Sequence, residues 1–291
     1  MMPVDNQLYD AMADSWWDES GFLHVLRGIN PARFGYMRRI LLEELGIDPR
    51  GQKTLDVGCG GGLLAEELAR LGCAVAGIDP SAKSLEAARS HARAAGLGID
   101  YRQASGESIP FPDGTFEIVY CCDVLEHVQD LGKVIGEISR VLEPGGVFLY
   151  DTINRTLKSW LVMIKLFQEW DWTSLMPPNL HGWRMFIKPR ELIAVLTAHG
   201  LENRDQTGLA PAADPIRTLR ILRARKRGEI SHLEAAQRLG LRESRDKAVL
   251  YAGCARKAPF TVLQKPPCSS PPPSSSPRRP TKRPTGRAPA R

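Results

Sequence analysis

Leu55-Asp56-Val57-Gly58-Cys59-Gly60-Gly61-Gly62 is a short apolar run that ends in glycines. With Lys53 and Thr54 before it, the stretch 53–58 has the length and composition of a buried strand. Beyond the glycines, residues 62–71 set Leu63, Leu64, Leu68 and Leu71 on a helical period. A strand, a glycine turn and a helix in that order predict the first unit of a parallel α/β sheet. Glycine lets the turn take a positive φ and lets a ligand approach the backbone. Ligands in such folds lie in the crevice at the carboxyl ends of the strands.

Working outward, residues 73–79 read as a second strand that ends at Asp79. An acid at that point can accept both hydroxyls of a ribose diol. Gly58, Gly60, Asp79 and the adjacent Pro80 are therefore candidates for an adenosine site. No glycine stands at 63, where a dinucleotide-type G-x-G-x-x-G beginning at Gly58 would need one. Asp56 would repel a pyrophosphate, but it suits the ammonium of S-adenosylmethionine, directly or through water. The pattern continues with a helix over 81–95, capped by Ser81 or Asp79, and a strand at Tyr101–Gln103. A strand at 116–122 follows, then a helix over 130–142 closed by the turn Glu143-Pro144-Gly145-Gly146. Residues 147–152 and 248–255 read as strands, and 189–199 as a helix. The expected fold is α/β, a Rossmann-like doubly wound, mostly parallel seven-stranded sheet with an N-terminal helical cap over 1–48. The catalytic domain is expected over 49–256, with insertions at about 156–188 and 211–247.

The chain has 291 residues, a quarter of them charged, with a formal charge of +6. That composition excludes fibrous and wholly disordered classes. Seven cations and no acid lie in 265–291, so residues 1–264 carry a net charge of −1. A body this close to neutral argues against a nucleic-acid partner. The tail over 257–291 is rich in Pro, Ser and Arg and is expected to be disordered and extended. Six cysteines form no paired framework, and the first residues lack the pattern of a signal peptide. A cytoplasmic setting follows as the expectation.

Leu55–Gly62 with Asp79 resembles the first motif of class I S-adenosylmethionine-dependent methyltransferases. Ile109-Pro110-Phe111-Pro112-Asp113-Gly114-Thr115-Phe116-Glu117 and Leu142-Glu143-Pro144-Gly145-Gly146 resemble their later motifs in order. A narrower resemblance covers roughly residues 8–210. It rests on Trp16-Trp17-Asp18, Asn30-Pro31-Ala32-Arg33, Cys122-Asp123-Val124-Leu125-Glu126-His127, Asn154-Arg155-Thr156 and Phe186-Ile187-Lys188-Pro189. These look like the UbiG-type O-methyltransferases of ubiquinone biosynthesis, which methylate a phenolic or catecholic hydroxyl on a polyprenylated ring.

The resemblance implies S-adenosyl-L-methionine contacts at Arg33, Gly58, Asp79 and Cys122, with Arg33 suited to the methionine carboxylate. Ser105 and Gly106 stand where many methyltransferases carry an acid near the adenine. It also implies a divalent-metal site, Mg²⁺, at Asp123, Glu126 and His127, which share a face at i, i+3 and i+4. The alternative is a helix N-terminus with Asp123 as its cap. A phenol with a pKa near 10 needs a base or a metal at neutral pH. His127 with Glu126 is the first candidate for that role, and His24 and His181 are weaker ones. Trp160–Phe167 with Trp170, Trp172 and Trp183, and the arginines of 217–227, suit a peripheral contact with an anionic membrane. Alternatives are a methyltransferase of another small phenol in secondary metabolism, or a non-catalytic S-adenosylmethionine-binding protein.

Overall fold

The structure is a computed structural model, and it describes residues 10, 12–18 and 22–259. Of the tail expected over 257–291, Lys257 instead ends a strand, and residues 260–291, with Cys268, lie outside the described residues, as do most of the first residues read for a signal peptide.

Eight strands form one sheet: β1 (Lys53–Val57), β2 (Ala74–Asp79), β3 (Asp100–Gln103), β4 (Phe116–Cys122), β5 (Leu142–Ile153), β6 (Leu201–Pro211), β7 (Leu241–Ser244) and β8 (Leu250–Lys257). Their order is β3-β2-β1-β4-β5-β8-β6-β7. The first five run parallel, and β8 is inserted antiparallel between β5 and β6. The expected count was seven. The strands without a sequence assignment are β6 and β7, the latter a short edge piece that pairs antiparallel with β6 between Gly208 and Pro211.

Alternation along the strands explains the two layers of helices. In β5, Phe148 and Tyr150 face one core while Val147 and Leu149 face the other. The first core takes Val134, Ile135, Ile138 and Val141 of α4 (Leu131–Val141) and Leu192 and Leu196 of α6 (Pro189–Ala198). The second takes α1 (His24–Arg38), α2 (Leu63–Arg70) and α3 (Ala82–Ala94) through Tyr36, Leu64, Leu68, Leu85 and Ala88. Each fully buried Leu or Ile in these layers contributes about 1.5–3 kcal/mol. Helix α1 continues as a π-helical segment over Arg39–Glu44.

The strand expected at 147–152 begins earlier. Phe116 already pairs with Leu142, whereas Ile118 pairs with Val147. The turn Glu143–Gly146 is therefore bulged out of a longer strand.

Two segments fold over the carboxyl ends of the parallel strands. Helix α5 (Leu157–Ser159) runs into a π-helical stretch over Trp160–Glu169. Helices α7 (Pro215–Lys226) and α8 (His232–Leu239) lie between β6 and β7. Ile221, Leu222, Ala235, Ala236 and Leu239 of this pair pack with Val25 of α1 and Leu175. Arg217, Arg220, Arg223 and Lys226 of α7 stay exposed. No helix among the described residues is long and apolar enough to cross a membrane.

Candidate active site

A cavity of about 1000 Å³ opens at the carboxyl ends of β1, β2 and β4. Gly58 and Gly60 of the glycine turn form part of its wall, with Asp79 and Pro80 at the end of β2. Gly60 has φ +49°, and a Cβ there would come within 2.4 Å of the Trp16 ring. The turn is thus shaped for a close approach between backbone and indole that only glycine allows. Trp16 donates its Nε1–H to Ser84 Oγ at 3.0 Å, and Trp17 donates to the Gly61 carbonyl at 3.0 Å.

Asp79 is held from two sides. Its Oδ2 accepts from the Gly60 amide at 2.9 Å and its Oδ1 from the Ser81 amide at 2.8 Å. Ser81, not Asp79, caps α3, accepting from the Ser84 amide. The acid is therefore left to face the cavity. Burial raises its pKa, and the two amide donors oppose that rise. Acceptor capacity remains on the carboxyl oxygens beside the glycine turn, which is the chemistry a ribose diol requires.

Arg33, Ser105, Gly106, Cys122, Asp123 and His127 also line the cavity. Asp56 and Glu126 do not; both lie behind the wall and are fully buried. Burial pushes the Asp56 carboxyl up to about 8, partly offset by the adjoining Tyr120 hydroxyl. Arg33 is 3 % exposed and ion-paired to both Asp123 and Asp151, with its Nε 2.6 Å from Asp151. Burial opposes the Arg33 charge, yet the two carboxylates outweigh it and leave the guanidinium firmly protonated.

Asp123 takes a left-handed conformation, φ +55°, and its amide donates to Asp151 Oδ1 at 2.9 Å. Its carboxylate is engaged by Arg33. Burial lowers the pKa of His127 to about 4, with Asp123 working the other way. His181, on the segment before α6, stands beside it with the ring centroids 5.0 Å apart. Burial and the His127 neighbour lower its pKa to about 3. Burial, and then Asp123, raise the pKa of Glu126, whose Oε2 accepts from Thr152 Oγ1 at 2.7 Å. The ligand atoms that converge are those of Glu126, His127 and His181, within 4.8 Å of one another; Asp123 is not in that group. Two imidazoles and one carboxylate do not match magnesium, which takes oxygen ligands. His24 is buried at the Arg27 guanidinium, outside the cavity wall.

Sequence reasoning passed over several wall residues. Trp16, Glu107, Asp130 and Lys133 line the same cavity. Asp130 doubles as the cap of α4, accepting from the Lys133 amide. An Asp immediately before the apolar-periodic run of α4 carried that signal. Much of the remaining lining is apolar and includes Leu26, Met163, Phe167 and Leu180 with Leu219 and Leu239 of α7 and α8.

A methyltransferase domain family is matched over residues 55–150. The ubiquinone biosynthesis O-methyltransferase of Azorhizobium caulinodans is 36 % identical over 224 residues, which is 74 % of this chain and 86 % of that protein. Its counterpart in Rhizobium etli is 38 % identical over 207 residues, 69 % of this chain and 83 % of that protein. Among solved structures, a Thermotoga maritima S-adenosylmethionine-dependent methyltransferase superposes with a TM-score of 0.56 at 15 % identity, covering 86 % of this chain and 99 % of the other. Magnesium protoporphyrin IX methyltransferase of Synechocystis, with S-adenosylhomocysteine bound, gives 0.52 at 17 % identity, covering 79 % and 86 %. The structures establish the fold, and the sequence relatives go further: the chain belongs to the family of the S-adenosylmethionine-dependent ubiquinone biosynthesis O-methyltransferases.

Proposed function

We propose that the protein transfers a methyl group from S-adenosylmethionine to the hydroxyl of a phenolic or catecholic quinone precursor that carries an apolar chain. The observation that carries this reading is one cavity with two chemistries. The glycine turn, Asp79 and His127 line the same cavity as the apolar side chains Met163, Phe167, Leu180, Leu219 and Leu239. When bound, S-adenosylmethionine supplies an electrophilic methyl on a sulfonium.

The chain's own residues do the rest. Asp79 accepts the ribose hydroxyls, and the glycine turn fixes the main chain beside them. Asp56 lies behind the turn with its pKa raised to about 8 by burial, so it offers the cofactor little charge. Arg33, Cys122, Ser105, Gly106 and Pro80 complete the wall around the cofactor. His127 receives the phenolic proton on its imidazole, and Glu126 sits behind it. The chamber excludes water, so that loss of sulfonium charge in the transition state is favoured.

The surface fits a partner that resides in a bilayer. Trp160, Leu161, Trp170, Trp172 and Trp183 are exposed around the π-helical segment. The Arg223 guanidinium lies 4.8 Å over the Trp172 ring. Aromatic rings beside cations suit the headgroup region of an anionic membrane, giving peripheral attachment at the cytoplasmic face.

The deciding experiment incubates labelled S-adenosylmethionine with catechols that do or do not carry a prenyl chain, with and without anionic vesicles. Labelled methyl ether from the prenylated catechol supports the proposal. Turnover restricted to a short, unprenylated phenol would move the acceptor to another class. Cofactor binding without any product would leave a non-catalytic binding protein.

A further inference from the structure

The hairpin of α7 and α8, inserted between β6 and β7, turns two different faces outward and inward. Five of the 12 residues of α7 are Arg or Lys, yet none of them lines the cavity. Pro215, Thr218 and Leu219 of α7 do line it, with Ala236 and Leu239 of α8. Positions 215, 218 and 219 share one face at i, i+3 and i+4, and Leu222 carries that face into the core. Arg217, Arg220 and Arg223 follow each other at i+3 on the other side and stay exposed. The hairpin's share of the lining is therefore uncharged, although the helix that supplies most of it is strongly basic.

The hairpin is a fixed wall. Asp214 caps α7, accepting from the Ile216 and Arg217 amides at 2.9 Å each. Ser231 caps α8, accepting from the Glu234 amide at 3.1 Å. Ala236 lies against Gly28 of α1 with no room for a Cβ between them. Apolar neighbours connect this wall to the reacting face. Its cluster takes in Leu166 and Phe167, and Phe167 packs also with Ile153, Met163 and Phe186. The Phe186 ring stands 6.0 Å from that of His181, which stands 5.0 Å from that of His127. Trp16, against the glycine turn, belongs to a different cluster, with Leu23 and Leu63. Among the cavity's cations, Arg33 and Lys158 are already paired with acids, and Lys133 belongs to α4, outside the hairpin's cluster.

On the reading that a ring hydroxyl receives the methyl group, we propose that the α7–α8 hairpin selects the ring's substituent: Thr218, Leu219 and Leu239 admit an uncharged aliphatic chain and reject one that ends in a carboxylate or phosphate. An aliphatic chain gains about fourfold in affinity for each methylene it buries against such a wall. A charge buried there without a partner loses far more than its chain gains.

The test uses the full chain loaded with S-adenosylhomocysteine. Catechol, 4-alkylcatechols of increasing length and their ω-carboxylated counterparts are titrated calorimetrically. Affinity is expected to rise about fourfold per methylene until the chain fills the space. A terminal carboxylate is expected to weaken binding by about tenfold or more against the alkyl chain of equal length. Leu219→Trp is expected to lower the affinity ratio of long-chain to unsubstituted catechol by about tenfold or more. Leu219→Ala, a milder change, is expected to move the optimum to a longer chain. Arg220→Ala, on the opposite face, is expected to keep the wild-type ratio. Circular dichroism identifies any variant that has not folded. Wild-type affinity that ignores chain length overturns the proposal, as does equal binding of the carboxylated series. An unchanged length dependence in both folded Leu219 variants overturns it too. Labelled S-adenosylmethionine turned over in parallel separates the two readings. Methyl ether formed from every catechol with no dependence on chain length overturns the hairpin's role and leaves the methyl transfer standing. Length-dependent binding that responds to Leu219 but yields no methyl ether does the reverse.

Discussion

Arg33 Nε lies 2.6 Å from the Asp151 carboxylate, so a cation on the cavity wall is already neutralised from inside the protein. Asp123 pairs with the same guanidinium from the cavity side. Burial raises the pKa of Asp151, and Arg33 is what opposes that rise. Arg33→Met would leave Asp151 buried without its cation, at a cost of about 3–5 kcal/mol. The double variant Arg33→Met/Asp151→Asn should cost clearly less than the two single changes summed, because they act on one contact. Urea unfolding of the three variants measures both, and strict additivity would refute the coupling.

Asp79 should govern nucleoside affinity more than fold. Asp79→Ala removes the charged acceptor at the end of β2 and should weaken S-adenosylhomocysteine binding about 10- to 100-fold, the worth of a charge-assisted hydrogen bond. Calorimetric titration reads this directly. Unchanged affinity would place the ribose elsewhere.

The Asp56 carboxyl makes stability depend on pH with a definite sign. Its pKa rises from the ordinary 3.8 to about 8 in the folded chain. Between those values the folded state holds a proton that the unfolded state has released. The contribution of this group to stability therefore falls as pH rises from about 4 to about 8. Asp56→Asn should flatten that slope. Melting temperatures of both proteins taken across the window test it, and parallel curves would count against the assignment.

Two glycines of α1 should respond oppositely to the same change. A Cβ at Gly28 would meet the Ala236 Cβ at 2.4 Å, whereas at Gly35 it would meet nothing within 4 Å. Gly35→Ala should stabilise the chain by up to about 1 kcal/mol through helix propensity. Gly28→Ala should separate α1 from α8 and destabilise by about 1–3 kcal/mol. Denaturant midpoints for the two variants decide the matter.

The glycine turn and Asp79 were legible because they are local: one strand, one turn and one strand end fix them. His181 could be named only as a weaker candidate, since its place beside His127 depends on the grip of Gln168, which no periodicity reveals. Strand β6 escaped for a different reason. Its polar Asn203, Asp205 and Gln206 carry no strand pattern, yet each has a tyrosine hydroxyl as partner, Tyr150 for Asn203 and Gln206 and Tyr36 for Asp205. With β6 unseen, its edge partner β7 could not be placed either. Asp123 was expected as a metal ligand from the family resemblance, and only the folded chain shows Arg33 against it.

Both oxygens of Asp79 are fixed by main-chain amides of the two loops that they bridge. The receptor is therefore set before its guest arrives, and little conformational freedom remains to be lost on association. Capture of the nucleoside should then resemble docking into a rigid mould, with a heat-capacity change that follows the apolar area covered and not the ordering of a loop.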